Sequence, residues 1–310
     1  TYEGSFVILK SYQDPELSYM KGGNEGAARV PSWKKPIPYN KNKRQVQEAP
    51  EVKSANYYYP GLPYRGPEIV TDYFKAAYAP VFIKATSAKV EGNTINWVFP
   101  PNNKFILKAS VSLPAGSSEP IIGYDFLPKD DAWYSVGYNG SPEMSIEEAD
   151  AIWQPLVWQG KRFPNKSILT LEDAAPMPAA LVEKNGITTG VVADPDEIPF
   201  RLPSLEKNAI KLGILIRNEK GNVQPTIFSP VLGTNESSLK AGEHYKFKLK
   251  LLVYQGSLLD AHQYLAKKVF GFKDYRKHVF CNLNQTISNM IQVGMTDGRV
   301  HLHSDLKGID

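Results

Sequence analysis

The chain has 310 residues, which is enough for one large β domain or for two ordinary domains. Its 24 prolines, 23 glycines and 17 tyrosines favour a protein rich in turns and amphipathic aromatic side chains. The net charge of +4 is spread along the chain without a dense basic stripe, which argues against nucleic acid as a partner. The single cysteine, Cys281, excludes an internal disulfide and a paired-cysteine metal site, and no apolar run is long enough to span a membrane.

Residues 1–77 carry only a weak structural pattern. One short apolar run, Ser5 to Leu9, predicts a strand, and a long polar segment rich in proline, asparagine and lysine follows it. Because such a segment buries little apolar surface, we expect it to wrap irregularly over another part of the protein. Thr1 is preceded by neither an initiator methionine nor a signal peptide, so we expect a processed or trimmed chain.

Residues 78–256 follow the two-residue period of β-strands. The turn Glu91-Gly92-Asn93 joins two alternating runs, and Asn185-Gly186, the strongest short hairpin signal in the chain, joins two more. In the longest run, residues 244–254, apolar residues alternate with three lysines, which predicts a half-buried strand. Further predicted strands lie at residues 80–86, 104–113, 121–127, 168–171, 209–217 and 226–232. This spacing predicts a mainly β fold, a large antiparallel β-sandwich, rather than a parallel α/β fold.

In residues 257–310 the pattern becomes helical. Ser257, with Asp260 three residues later, predicts the start of a helix, and Gly271 predicts its end. A second helix is predicted over residues 284–293. This short helical segment either packs back on the sandwich or begins a further domain.

A segment rich in aromatic and acidic side chains lies at residues 130–159. Aromatic faces stack on sugar rings, and carboxylates and amides accept hydrogen bonds from sugar hydroxyls. The composition therefore predicts a carbohydrate surface, and buried packing anchors are the alternative explanation for the same aromatics. The side chains predicted to contact carbohydrate are Trp133, Tyr134, Tyr138, Glu143, Trp153, Trp158, Gln159 and, in a separate acidic loop, Asp194.

Other groups that could carry chemistry give weaker signals. A glycosidase needs two carboxylates across the scissile bond, but Glu147 and Glu148 follow Ser145 in a pattern that favours capping of a helix start. The acidic loop at residues 193–201 lacks the spacing of a calcium loop and is better explained as a solvated turn. The histidines and Cys281 match no metal-binding pattern, and no phosphate loop or dinucleotide motif occurs, so we predict no metal and no cofactor.

Four segments resemble the N-terminal half of bacterial six-hairpin glycosidase-like proteins: residues 136–143 (VGYNGSPE), 154–159 (QPLVWQ), 190–195 (GVVADP) and 260–290 (DAHQYLAKKVFGFKDYRKHVFCNLNQTISNM). In that family a β-supersandwich, of the galactose-mutarotase-like kind, precedes an (α/α)6 toroid that holds the catalytic carboxylates. The resemblance implies that the first predicted helix is a linker and that the second begins a truncated toroid. It assigns no catalytic residue to this chain.

The resemblance further implies a function. The chain is expected to be the non-catalytic N-terminal β-sandwich of a carbohydrate-active glycoside hydrolase, periplasmic or secreted, with an oligo- or polysaccharide and the missing C-terminal helical toroid as partners. The loop predicted from Asp130 to Gln159 is then expected to reach over the active-site cleft. Two alternatives stay open: a free-standing carbohydrate-active enzyme that uses carboxylates of residues 130–150 or 194–197, and a structural interaction module.

Overall fold

The structure, a computed structural model, describes residues 2–15, 56–59, 62–64, 73–76, 80–155, 166–172, 175–198, 210–273, 282–296, 302–303 and 308–309. The chain divides into two compact units, Thr1–Phe270 and Gly271–Asp310. In the first unit two antiparallel sheets of seven and eight strands enclose a common core. The predicted mainly β, antiparallel sandwich is therefore confirmed.

The strands, in chain order, are β1 (Ser5–Ser11), β2 (Asn56–Tyr59), β3 (Leu62–Tyr64), β4 (Val81–Lys84), β5 (Ser87–Glu91), β6 (Thr94–Val98), β7 (Phe105–Ser112), β8 (Ile121–Pro128), β9 (Ala132–Tyr138), β10 (Ala151–Trp153), β11 (Thr170–Leu171), β12 (Ala179–Lys184), β13 (Ile187–Ala193), β14 (Gly213–Arg217), β15 (Val223–Phe228), β16 (Ser238–Leu239), β17 (Tyr245–Gln255), β18 (Leu302–His303) and β19 (Gly308–Ile309). The helices are α1 (Leu258–Tyr264), which a π-helical turn continues over Leu265–Val269, and α2 (Leu283–Thr296). Short 3-10 turns lie at Tyr73–Ala76, Pro195–Glu197 and Asn235–Ser237.

The seven-stranded sheet runs β11-β14-β15-β9-β1-β4, and β16 also pairs with β9. The eight-stranded sheet runs β10-β12-β13-β17-β8-β7-β6-β5, and every pairing in both sheets is antiparallel. Two separate pairs, β2-β3 and β18-β19, complete the described strands.

Apolar side chains from alternate positions of both sheets fill the space between them. Phe6 of β1 contacts Tyr124 of β8 with ring centroids 5.6 Å apart, and Phe126 of β8 contacts Tyr134 of β9 at 5.2 Å. All four residues belong to one buried cluster with the inward residues of β12, β13 and β17. Burial of this continuous aromatic and aliphatic layer is what holds the two sheets together.

Part of the outer side of each sheet is also covered. A second apolar cluster, which includes Val7, Leu9 and Phe228, lies against the seven-stranded sheet. On the eight-stranded sheet, α1 and the π-helical turn that continues it place Leu258, Ala261 and Leu265 against side chains of β12 and β13. The first C-terminal helix therefore packs back on the sandwich.

The local signals in the sequence are confirmed at the β12–β13 hairpin and at α1. Asn185 and Gly186 have φ values of 54° and 71°, as the two central residues of a type I′ turn require. The Ser257 side chain accepts a hydrogen bond from the Asp260 amide at the start of α1, and Gly271 adopts φ +66° after its end. These features need only neighbouring residues, which is why the sequence predicts them.

The expectation of a loop over residues 130–159 is wrong for its first part. Residues 132–138 form β9, which lies inside the seven-stranded sheet between β1 on one side and β15 and β16 on the other. Six of its seven residues are buried because both faces of the sheet are covered there. A strand that is covered on both faces does not alternate between apolar and polar residues, so its period is hidden.

Two other predictions concern the first and the last described segments of the chain. The strand predicted at Ser5 to Leu9 is confirmed as β1, although it lies within the sandwich rather than in a peripheral wrap. Most of that predicted wrap, residues 16–55, lies outside the described residues. In the second unit the helix predicted at 284–293 is confirmed as α2. Within the described part of the chain, no helix is both long and apolar enough to cross a membrane.

Candidate functional site

Two of the residues predicted to contact carbohydrate lie in the interior. Tyr134 and Tyr138 are both 0% exposed. The Tyr134 hydroxyl donates to Asp130, and the Tyr138 hydroxyl donates to the Glu3 carbonyl at 2.9 Å. The Tyr138 ring stacks on Trp97 with centroids 6.2 Å apart. In this structure both tyrosines act as packing anchors with a satisfied polar end.

The two described tryptophans of the same prediction lie on opposite outer sides of the sandwich. Trp133 packs against the cluster outside the seven-stranded sheet. Trp153, at the edge of the eight-stranded sheet, packs beside α1 with its ring edge-on to His262 at 4.9 Å. Because both sheets separate them, these rings cannot stack on neighbouring sugars. Trp158 and Gln159 lie outside the described residues.

Glu143 lies beside the turn that joins β14 and β15. The side-chain amides of Asn222 and Asn218 each donate to Glu143 Oε1 at 2.8 Å. These two hydrogen bonds, the one from Asn222 first, outweigh the effect of burial and lower the pKa of Glu143. Nearby in sequence, the buried side-chain oxygens of Asn139 and Ser141 have no hydrogen-bond partner among the described residues.

Asp194 follows β13 and is only 4% exposed, so the predicted solvated turn is wrong for this residue. Its carboxylate accepts a hydrogen bond from the Asp196 amide and lies 3.7 Å from Lys250 Nζ. It thereby caps the short turn Pro195–Glu197. Among the described residues, no group of histidine, cysteine, aspartate and glutamate could hold a metal ion.

The other carboxylates of residues 130–150 stabilise local structure. Glu148 accepts from the Ser145 amide at 2.9 Å and from Lys184 at 3.0 Å, so the predicted pairing of Ser145 with Glu148 is confirmed. The predicted helix start is wrong, because residues 146–148 form a turn. Asp131 accepts from the Ala241 amide at 2.9 Å, and this bond lowers its pKa. Burial alone would raise the pKa of Asp130, but hydrogen bonds from Lys10 and Tyr134 outweigh it and the pKa is lowered.

A different surface combines several polar groups: the part of the eight-stranded sheet that α1 does not cover. On β7, β8 and the first half of β17, inward residues enter the core and the alternate residues point to the outside. β6 and β5 extend this sheet to its edge, where β5 is exposed along its whole length. A shallow open depression of about 890 Å³ lies on this part of the sheet. We call it the open face; it is lined, among others, by Lys89, Asn96, Lys108, Ser110, Gly123, Asp125, Lys246 and Lys248.

Strand register sets these residues in rows across the sheet. In the central row Lys248 lies opposite Gly123, Gly123 opposite Ser110, Ser110 opposite Asn96, and Asn96 opposite Lys89. The adjacent row contains Lys246, Asp125 and Lys108. With neighbouring strands ~4.8 Å apart, the five residues of the central row extend over ~19 Å. Directly opposed side chains project in parallel, so the row presents hydroxyl, amide and ammonium groups together.

The acidic residues on the open face already have partners. Asp125 Oδ1 lies 2.7 Å from His244 Nδ1, and Asp125 Oδ2 lies 3.9 Å from Lys246 Nζ. Glu91 accepts a hydrogen bond from the Asn96 amide at 3.2 Å. Glu197, at the border of the depression, forms an ion pair of 2.6 Å with Lys211. Of these acidic residues, Glu91 is paired only with a neutral amide; the lysines that form no ion pair among the described residues are Lys89, Lys108 and Lys248.

The sequence contained one signal for this face. The alternation of Lys246, Lys248 and Lys250 with apolar residues predicts that the lysines share the outer side of β17, and their neighbours confirm it. Which residues stand beside them depends on pairing with β8, β7 and β6, whose positions in the chain are more than a hundred residues away. The local sequence pattern alone therefore could not predict which residues form the central row.

Comparison with known proteins does not assign the chain to a family. A scan against protein-family models gives no match, and a search of the curated proteins gives none either. A proposal for the function therefore rests on the geometry of the site and on the short segments that resemble six-hairpin glycosidase-like proteins.

Proposed function

We propose that the first unit is a non-catalytic carbohydrate-binding β-sandwich of a glycoside hydrolase, and that it binds glycan on the open face of the eight-stranded sheet. The observation that carries the proposal is the central row, where Ser110 and Asn96 lie between lysines across five strands. Hydroxyl and amide groups can both donate to and accept from sugar hydroxyls. A row of such groups along a shallow depression suits an extended glycan better than a small enclosed ligand.

A non-catalytic role fits four carboxylates of residues 130–150. A glycosidase needs one carboxylic acid with a raised pKa to protonate the leaving group. The pKa of Asp130, Asp131, Glu143 and Glu148 is lowered instead, in each case with a hydrogen bond to a neighbouring group. These four groups are thus suited to hold turns and strand ends.

The wider assignment rests on the order of elements. A large antiparallel sandwich is followed by helix α1 and then by α2, the order that the resemblance to six-hairpin glycosidase-like proteins implies. In this proposal a helical toroid supplies the catalytic carboxylates, and the protein works in the bacterial periplasm or outside the cell. The sandwich then holds a polysaccharide close to that toroid.

Calorimetric titration of the 310-residue chain with a panel of neutral and acidic oligosaccharides tests the proposal. We expect binding of at least one glycan, and a loss of roughly tenfold in affinity in the double variant Asn96→Ala with Ser110→Ala. Ser238→Ala is the matched control, because Ser238 is an exposed serine on a strand of the other sheet. The absence of binding to every glycan, or equal binding by the double variant, would contradict the proposal.

A further inference from the structure

We infer that the glycan bound by the open face is acidic, a polyuronate whose carboxylates pair with Lys248, Lys108 and Lys89. The inference rests on the proposed function and names the chemical class of its ligand.

The first step is the charge balance of the surface. The lining of the depression contains four lysines, Lys89, Lys108, Lys246 and Lys248, against Glu91, Asp125 and Glu197. Glu197 pairs with Lys211, which stands outside the lining, and Asp125 pairs with Lys246, so Glu91 is the one acidic residue of the lining without an ion pair among the described residues. Among the described residues, Lys89, Lys108 and Lys248 form no ion pair.

The second step is the spacing of these three cations. Lys248 and Lys89 stand at the two ends of the central row, ~19 Å apart along the sheet, and Lys108 lies between them in the adjacent row. No single monosaccharide can reach both ends. A polymer with one carboxylate on every sugar presents charges repeatedly along the same length, and flexible lysine side chains can adapt to its repeat.

The third step is the chemistry between the lysines. Ser110 and Asn96 offer hydrogen bonds, and Gly123 leaves space for a ring above the strand. A nucleic acid is the other polyanion that lysines attract, and its single-stranded form binds best where bases stack on aromatic side chains. None of the five residues in the central row is aromatic, and the aromatic residues of the lining, Trp97, Tyr124 and Phe247, pack their side chains in or against the core. The groups between the charges thus match sugar hydroxyls rather than bases.

The test compares polygalacturonate with the same polymer after reduction of its carboxylates, which replaces each charged carboxylate by a neutral hydroxymethyl group and keeps the sugar backbone. Titration of the 310-residue chain at low salt is expected to give at least roughly tenfold tighter binding of polygalacturonate. The double variant Lys108→Gln with Lys248→Gln should lose roughly tenfold for polygalacturonate and little for the reduced polymer. Lys240→Gln, which removes one exposed charge beside the seven-stranded sheet, is the control and should leave both affinities unchanged.

Equal affinity for the two polymers overturns the inference and leaves the proposed glycan-binding function standing. The same holds if the reduced polymer alone, or only other neutral glycans, bind. Tighter binding of a single-stranded oligonucleotide than of polygalacturonate, lost in the same lysine variant, overturns both the inference and the proposed function.

Discussion

Gly123 of β8 lies directly opposite Lys248 of β17, and a Cβ atom placed on Gly123 would stand 3.9 Å from Cγ of Lys248. This is an ordinary van der Waals contact, no other heavy atom of the described residues beyond the glycine and its two chain neighbours lies within 4 Å of that Cβ, and the glycine has no positive φ. Glycine in the middle of a strand lowers stability, because its backbone loses more freedom on folding and packs no side chain. The fold therefore tolerates a larger residue at position 123, whereas a ligand above the strand would not.

We expect Gly123→Val to leave the free energy of unfolding unchanged or to raise it by ~0.5–1 kcal/mol, since valine favours strands. The same substitution should abolish glycan binding, because the valine side chain fills the space between Lys248 and Ser110 in the central row. Urea unfolding and calorimetric titration measure the two effects. Gly190→Val is the contrasting variant: its Cβ would stand 2.2 Å from the Ala180 carbonyl oxygen, so it should destabilise the fold strongly. If the folded Gly123→Val variant bound glycan with unchanged affinity, the open face would not be the binding site.

Leu265, the first residue of the π-helical turn that continues α1, tests whether this helical segment is part of the sandwich. Its side chain is 0% exposed in the cluster that joins α1 to the eight-stranded sheet. Leu265→Ala should lower the free energy of unfolding by ~2–4 kcal/mol through lost burial and a cavity. Leu259→Ala, on the same helix but 72% exposed, should cost less than ~0.5 kcal/mol. Similar unfolding curves for the two variants would mean that α1 does not contribute to the first unit.

Glu143 predicts a dependence of stability on pH. Because its pKa is lowered from 4.5 by folding, its contribution is present above pH 4.5 and is lost as the pH falls through the lower pKa of the folded state. Glu143→Gln should therefore lose ~1 kcal/mol at pH 7, a value already reduced for a side chain that is 33% exposed. Below the folded-state pKa the variant and the wild type should converge. Glu219→Gln, an exposed residue of the same turn, should change little at either pH, and a constant difference for Glu143→Gln would contradict the argument.

Tyr2 connects the start of the chain to the eight-stranded sheet. Its hydroxyl accepts a hydrogen bond from the Gly190 amide at 2.7 Å and lies 2.7 Å from the carbonyl oxygens of both Gly190 and Leu252. Tyr2→Phe keeps the ring and removes these bonds, so it should cost ~1–3 kcal/mol in thermal or urea unfolding. An unchanged midpoint would show that the bonds to Gly190 and Leu252 are not formed in solution.

The sequence predicts those parts of the fold that depend on neighbouring residues. Asn185-Gly186 needs only two residues with positive φ, and the start of α1 needs only the side chain of Ser257 near the Asp260 amide. The alternation in β17 was equally clear because one face of that strand is buried and the other is not. By contrast, β9 is covered on both faces, so its sequence does not alternate and was interpreted as part of an aromatic loop rather than as a central strand.

The open face could not be predicted from the sequence, for a different reason. Its central row takes one residue from each of five strands, and Lys248 becomes a neighbour of Gly123 only when β17 pairs with β8. Single residues such as Ser110 carry no signal by themselves. Tryptophans do carry a signal in the composition, but Trp133 and Trp153 lie on the outer sides of different sheets.

The most direct test of the central claim is a titration of the 15N-labelled, deuterated chain with polygalacturonate, followed through backbone amide resonances. We predict that the largest shifts occur at Gly123, Ser110 and Asn96, with smaller shifts along β17 near Lys248. Shifts confined to the surroundings of Trp133 or Trp153, or no shifts at a saturating glycan concentration, would contradict glycan binding on the open face.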